Sequence, residues 1–488
     1  MNLDKEEYFL EVLRPVWLPF NDVASKVVAD LAEQLGFPTS GPKAKRYEVV
    51  VASFLKSVQS IARSPNSSKP YYLGVHRRAS AWSLFPMVGK DVAPRAIDRL
   101  VELFGAQFVE GSGDSGLFKD ENGKWAKDPR MTMYRIDLSS LPEGLADARF
   151  VQVGLPTVKV NKAETRKQRD KRNLQKQAKP FLSDKQCKEL FGDAHTAAES
   201  RVEALNKFWL QHPLIMPSGH SAASATRVYH DGRVDAGGRL YGAWTGLDKD
   251  TERLFCTIDG EPICEIDIKA SQPTLFSSLL GCRLGGLKKG GQWWDVYADL
   301  SRLGSVNHWW TVVDDTIDVI EQIKRNRKVA KAVVMELIGS GNSLKSRATD
   351  DLVKETGLMA KGWDSFRERL VQVVPALEEL EARYDKQGAV EGYLNGAGFL
   401  SYHESEMMML TLEQLGQVGI PAYPVHDCLI VKTKDAKVAA KTFREVIHQY
   451  CKKMNGLEVL VPLSVEVGHG VSAHQLPEQV DLIGEYLN

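Results

Sequence analysis

Two aspartates, Asp267 and Asp427, each sit inside a strand-like run. The first run is Ile263-Cys264-Glu265-Ile266-Asp267-Ile268-Lys269, preceded by Gly260-Glu261-Pro262. The second is Tyr423-Pro424-Val425-His426-Asp427-Cys428-Leu429-Ile430-Val431, preceded by Gly419-Ile420-Pro421. Apolar and β-branched residues bounded by turn formers predict two buried strands. An aspartate within such a strand is costly to bury unless its charge is compensated. Two on neighbouring strands repel each other, and a divalent metal between them removes the conflict. A pair of carboxylates on Mg²⁺, with Mn²⁺ as the alternative ion, is what phosphoryl and nucleotidyl transfer require. The competing reading is two unrelated strand-end aspartates that cap loops.

Other stretches could serve the same chemistry. Lys324 to Gly341 reads as a helix ending in glycines, with Arg327 and Lys331 four residues apart on one face. Two such cations can hold a triphosphate, and Lys331 could protonate a departing pyrophosphate. A solvated basic face is the plainer interpretation. Asp235-Ala236-Gly237-Gly238-Arg239 joins a glycine turn, which lets backbone approach a phosphate chain, to a cation able to bind phosphate in a bidentate way. The same residues would also suit an ordinary hairpin. Ser271-Gln272-Pro273 lies where the first aspartate strand hands over to a helix near Thr274. His426 either orients a primer terminus or satisfies a strand end. Residues 396–415 predict a loop and a long helix in which Met407, Met408 and Met409 pack, and Glu404 and Glu406 are expected at the surface, with a place facing the site as the alternative.

The elements that must position these groups follow from the rest of the chain. At 488 residues, two or three domains are expected. Hydrophobic content of 43% and charged content of 26% describe an ordinary globular chain. Lys+Arg and Asp+Glu both number 63, so contact with nucleic acid has to come from local clustering. The six cysteines form no Cys-x-x-Cys pair, which argues against a cysteine zinc site or a disulfide framework and for free thiols in a reducing cytoplasm. There is no apolar leader-like segment at the start, and no apolar run nears the roughly 20 residues of a membrane span.

Residues 1–68 are expected to be helical, with an apolar stripe from Val49 to Ile61. Residues 69–150 predict a helix opening at Asp91, a strand at 107–110, a Gly- and charge-rich loop at 111–127 and a strand at 132–136. This order fits a winged helix whose Arg77, Arg78, Lys90, Arg95 and Arg99 could face phosphates. Residues 151–215 form a basic helical connection. Between Lys159 and Lys179 it carries nine basic residues, among them Lys167, Arg169, Lys171 and Arg172, against Glu164 and Asp170. Without aromatics, such a run is suited to phosphate contact and not to base stacking. A helix is expected at 201–210 and a boundary near 213–225. Residues 216–488 hold every catalytic signal.

The order of these signals resembles that of the family A DNA polymerases and their relatives, the single-subunit phage-type RNA polymerases. The resemblance covers about residues 227–475. It implies that Asp267 and Asp427 are the two metal ligands, 427 − 267 = 160 residues apart. It also implies that Arg327 and Lys331 are the fingers-helix pair meeting the triphosphate, and that His426-Asp427 is the family's His-Asp pair. Val461 to Gly468 resembles the closing strand of the DNA polymerases, while Asp235-x-x-Gly-Arg239 looks closer to the RNA polymerase branch. The N-terminal module is similar to that of phage and mobile-element proteins with the same catalytic half. Three positions depart from the pattern: Gly339 stands for the fingers tyrosine, Cys428 for the glutamate after the His-Asp pair, and Gln272 for the glutamate that bars ribose. No proofreading exonuclease pattern is seen.

The resemblance implies an α+β fold: an antiparallel palm sheet of the right-hand polymerase type with helical fingers, preceded by a helical and winged-helix-like region. It implies a template-directed polymerase with two Mg²⁺ ions. Its partners would be DNA primer-template and nucleoside triphosphates, with RNA as the second candidate. Asp267, Asp427 and Lys331 would be catalytic. Arg327, Lys331 and Gln272 would meet the nucleotide, and Arg239, His426, Lys167, Arg169, Lys171 and Arg172 the nucleic acid. The rival is a DNA-binding replication or regulatory protein with a catalytically dead polymerase half.

Overall fold

A computed structural model of the chain describes residues 9–63, 71–75, 82, 87–88, 92–108, 117–119, 125–127, 132–174, 179–282, 288–289, 292–293, 296–297, 318–339, 354, 370–384, 390–393, 396–457, 459 and 461–468. Arg77, Arg78, Lys90, Asp91, Lys176, Asp295, Ser340, Gly341 and most of the 111–127 loop lie outside them.

The fold is mixed α+β, and antiparallel pairings predominate in its sheets. The first sheet contains β1 (Phe9–Val12), β3 (Tyr71–Val75), β4 (Gln107–Phe108) and β5 (Thr132–Arg135), in the order β1-β3-β5-β4. Against the expectation of helix throughout residues 1–68, residues 9–12 and 17–19 are extended. β1 gains its hydrogen bonds by lying parallel to β3, a partner about 60 residues later that local pattern does not reveal. Helices α1 (Asp22–Gln34), α2 (Ala44–Arg63) and α3 (Ala93–Leu103) accompany this sheet. In α3 the expected stripe of Ile97, Leu100 and Val101 is buried. Its N-cap is Val92, without a side-chain cap bond.

The second sheet spans most of the chain. β2 (Trp17–Pro19), β6 (Phe150–Gln152), β9 (Ser221–Ala222), β8 (Leu214–Ile215), β12 (Thr257–Ile258), β13 (Glu261–Ile268), β15 (Cys428–Lys432) and β14 (Ala422–Val425) follow one another, and β16 (Leu463–Val467) also pairs with β13. A third sheet joins β7 (Val158–Val160), β10 (Thr226–Tyr229) and β11 (Gly237–Tyr241).

The connecting helices are α4 (Arg166–Leu174), α5 (Asp184–Phe191) and α6 (Asp193–Gln211). The later ones are α7 (Ser271–Leu279), α8 (Val319–Gly339), α9 (Ala397–Gln417) and α10 (Ala436–Asn455). α9 is largely buried, Met407, Met408 and Met409 included, as expected for the methionines. Among the described residues no helix is long and apolar enough to cross a membrane.

Candidate active site

Asp267 lies near the end of β13, whose central residues Ile263, Cys264, Glu265 and Ile266 are all buried. β13 pairs antiparallel with β15 on one side, placing Asp267 opposite Cys428, and with β16 on the other, placing it opposite Ser464. Asp427 is therefore one residue beyond the partner of Asp267. The second aspartate is not inside a strand, however. The run expected as one strand at 423–431 is a hairpin: Val425 pairs with Cys428, and His426 and Asp427 are the two turn residues. His426 takes φ 58°. Positive φ at only the first central position matches a II′ turn, where glycine is usual. A histidine there is uncommon, and strained positions of this kind gather at functional sites.

Three aromatic side chains fix the hairpin. Pro424 has no N–H to give, so β14 is confined to the sheet edge. Trp209 Nε1 donates to the Ala422 carbonyl and Trp244 Nε1 to the Pro424 carbonyl, both at 2.8 Å. The Tyr423 hydroxyl donates to the His212 carbonyl at 2.6 Å, and its ring packs 5.1 Å from Trp209 and 4.9 Å from Trp244. Each such aromatic pair adds about 0.5–1.5 kcal/mol beyond its buried area. An edge strand that would otherwise fray thus carries Asp427 at a fixed place.

Burial, together with the negative charge of Asp427, pushes the Asp267 carboxyl up to about 7. Glu265, two residues earlier and on the same face of β13, is ion-paired to Arg253 and lies 3.7 Å from Lys249. No salt bridge reaches Asp267 or Asp427 among the described residues. Lys249 and Arg239 act on Asp267 and Asp427, respectively, only from beyond ion-pair distance, whereas Glu265 is directly paired. A Mg²⁺ ion between Asp267 and Asp427 fits that donor set, since hard carboxylate oxygens are what it binds. Cys428, beside them, is a poor match for Mg²⁺, and burial raises its thiol well above the usual range.

A third acid departs from expectation. Glu404 and Glu406, expected at the surface, are buried or nearly so on α9. Glu404 is 3% exposed, and burial raises its carboxyl to about 7 while Arg239 opposes the shift and Asp427 adds to it. Arg239 Nε donates to Glu404 Oε1 at 2.7 Å, whereas Oε2 has no hydrogen-bond partner. Burial works against the charge of Arg239, but Glu404 and then Asp427 outweigh it and hold the guanidinium more firmly protonated. Arg239 is thus a cation positioned between two acids.

The glycines before Arg239 have a packing role. Gly238 has φ +86°, and a Cβ on it would lie 2.8 Å from Ser405 Oγ and 3.0 Å from Tyr229. Only glycine lets β11 sit this close to α9. Behind it, Arg227 is 1% exposed, donates to the Gly238 carbonyl at 2.9 Å and to Ser405 Oγ at 3.2 Å, and pairs with Glu406. Arg201 of α6 bonds the same Glu406 at 2.8 Å and Glu413 at 2.5 Å. The two arginines pull the Glu406 carboxyl below its ordinary range despite burial. No motif marks this network. Its one sequence signal is three glutamates, Glu404, Glu406 and Glu413, in a largely buried helix.

His426 is close to the cluster, with its ring 5.7 Å from that of Tyr241 and its Nδ1 buried without a hydrogen-bond partner. Burial and the charge of Arg239 lower its basicity. Gln272 is half-buried in the first turn of α7, which begins four residues after Asp267, past Ala270 in left-handed conformation. Arg327 and Lys331 are on α8 as expected: Arg327 is half-buried with its guanidinium 5.6 Å from the Tyr297 ring, and Lys331 is exposed. In the basic run, Lys167, Arg169 and Lys171 are exposed on α4, while Arg172 donates to Glu164 at 2.9 Å.

No family model matches the chain, and no curated protein matches it. Among solved structures it is similar to the POL domain of Pol1 from M. smegmatis, determined in complex with DNA primer-template and dNTP. The TM-score is 0.33 and the identity 13%, over 59% of this chain and 56% of that one, so the chain spans little more than half of that structure's length.

Proposed function

We propose that the chain is a template-directed nucleic acid polymerase, transferring nucleotides from nucleoside triphosphates to a 3′-hydroxyl. The observation that carries this reading is the juxtaposition of Asp267, on β13, with Asp427, in the turn of the hairpin that pairs with it, two acids that form no salt bridge among the described residues. The resemblance of the motif order to family A polymerases adds to it. In this reading β13, β14, β15 and β16 are the palm and α8 belongs to the fingers. Asp267 and Asp427 would hold two Mg²⁺ ions. When bound, these would lower the pKa of the attacking hydroxyl and neutralise the leaving pyrophosphate.

The chain's own side chains do the rest. Arg239, fixed by Glu404, directs a permanent positive charge to the primer end of the site. His426, low in basicity, is a neutral donor or acceptor beside it. Arg327 and Lys331 take the triphosphate, Lys331 as the proton donor to pyrophosphate. Gln272 meets the sugar of the incoming nucleotide. Because it is an uncharged amide, it excludes ribose less strictly than a carboxylate would. Lys167, Arg169, Lys171 and Arg172 hold nucleic acid backbone. A DNA product is slightly favoured.

Purified protein with Mg²⁺ should extend a primed template, tested across DNA and RNA templates with both nucleotide sets. Asp267→Ala and Asp427→Ala should each lower extension by about a thousandfold. Extension that both changes leave undiminished, or that occurs with no template–nucleotide combination, overturns the assignment.

A further inference from the structure

A second group of metal-type donors lies in the connecting helices and takes no part in the proposed reaction. Asp184, His195 and Glu199 each present one ligand atom, and the three atoms lie within 4.8 Å of one another. They are the only such group of three or more among the described residues. The local fold explains the convergence. Ser183 caps α5 in a reciprocal box with Gln186, which puts Asp184 at the first helical position. Gly192 alone separates α5 from α6, at φ 49° and ψ −122°, and turns the chain back on itself. His195 and Glu199 then fall four residues apart on one face of α6.

A separate observation points to a ligand. The His195 side chain is only 2% exposed, and its Nδ1 is buried without a hydrogen-bond partner. Glu199 Oε2 is 3.3 Å away but does not complete a hydrogen bond to it. A buried ring nitrogen left unpaired costs about 1–3 kcal/mol. That cost is removed when the nitrogen ligates a cation. Asp184 Oδ2 accepts from Lys188 at 2.9 Å, leaving its second oxygen for a metal.

We propose that Asp184, His195 and Glu199 form a structural site for a first-row transition dication, Zn²⁺ above all, that staples α5 to α6. One imidazole and two carboxylates with a fourth position open is a donor set that Zn²⁺ accepts and Mg²⁺ does not favour. α6 carries Arg201 and Trp209, so the staple would stiffen the element that braces both α9 and the Asp427 hairpin. Glu199 is 30% exposed, which allows its removal without opening a core.

The test is calorimetric titration of Zn²⁺ into chelator-treated full-length protein, with millimolar Mg²⁺ present throughout. Wild-type protein and Asp267→Asn should bind the same tight equivalent of Zn²⁺. Glu199→Ala and His195→Gln should each weaken it by tenfold or more, with helical circular dichroism unchanged in Glu199→Ala. The proposal is overturned if wild type takes up no Zn²⁺, if Glu199→Ala binds as wild type does, or if Asp267→Asn abolishes the binding.

Discussion

Asp267, Asp427 and Glu404 sit on three segments that are themselves pinned: a central strand, a hairpin held by Trp209, Trp244 and Tyr423, and a buried helix. Lys331, Lys167, Arg169 and Lys171 instead stand exposed on α8 and α4. The contrast follows from cost. Like charges crowded together persist only where a scaffold forces them, and a strand pair can do that. Exposed lysines and arginines cost little to present, and they act over distance through charge alone. Changes in the first region should therefore be severe and local, while those in the second should be graded and dependent on salt.

The largest effect should come from the acids. Asp267→Ala or Asp427→Ala should lower the extension rate by about a thousandfold, equal to roughly 4 kcal/mol of lost transition-state stabilisation, as single-turnover kinetics would show. A tenfold loss would put these side chains outside the chemistry. Glu406→Gln strikes the scaffold beneath, stranding Arg227 without its counter-charge in a site that is 1% exposed. Breaking a buried pair on one side costs about 3–5 kcal/mol, measurable by urea unfolding. An unchanged midpoint would mean that the arginine network does not hold α9.

A pH series sharpens the contrast. The Asp267 carboxyl is held near 7 in the fold and titrates near 4 when unfolded. Between those values the metal-free folded chain binds more protons than the unfolded one, so stability falls as pH rises through the window. Asp267→Asn should flatten that slope, and Glu404→Gln, removing an acid raised in the same way, should flatten it further. Unfolding midpoints from pH 4.5 to 8 in chelator test this; a slope of the opposite sign contradicts it.

The exposed cations should respond more gently. Lys331→Ala should raise the apparent KM for triphosphate by about tenfold, roughly one charge-assisted hydrogen bond. Replacing Lys167, Arg169 and Lys171 together by alanine should reduce the salt slope of primer-template binding by about one for each phosphate no longer neutralised. A weakening of the same size at low and at high salt would show that α4 does not touch the nucleic acid backbone.

Much of the acidic region is legible because burying a carboxylate in an apolar strand is anomalous, and anomalies show in sequence. Asp267 stands out in this way, and so does its pairing with the second aspartate run. The hairpin does not, since its turn uses His-Asp where Asn-Gly or a leading glycine would announce it. Glu404 and Glu406 escape because a charge on a helix is ordinarily solvated. Their partners Arg239 and Arg227 lie more than 160 residues away in sequence. β1 and β2 escape because strands of three or four residues carry too little pattern without their partners. Asp184, His195 and Glu199 are unmarked because a mixed His–carboxylate set has none of the regular spacing that paired cysteines show.

That Asp267 and Asp427 jointly hold a divalent cation is tested most directly by Mn²⁺ titration followed by electron paramagnetic resonance. In protein carrying Glu199→Ala to silence the connecting helices, Mn²⁺ should bind to the chain with its native acids. It should be lost on adding either Asp267→Asn or Asp427→Asn. Unchanged Mn²⁺ binding in both double variants would contradict the shared-ion site.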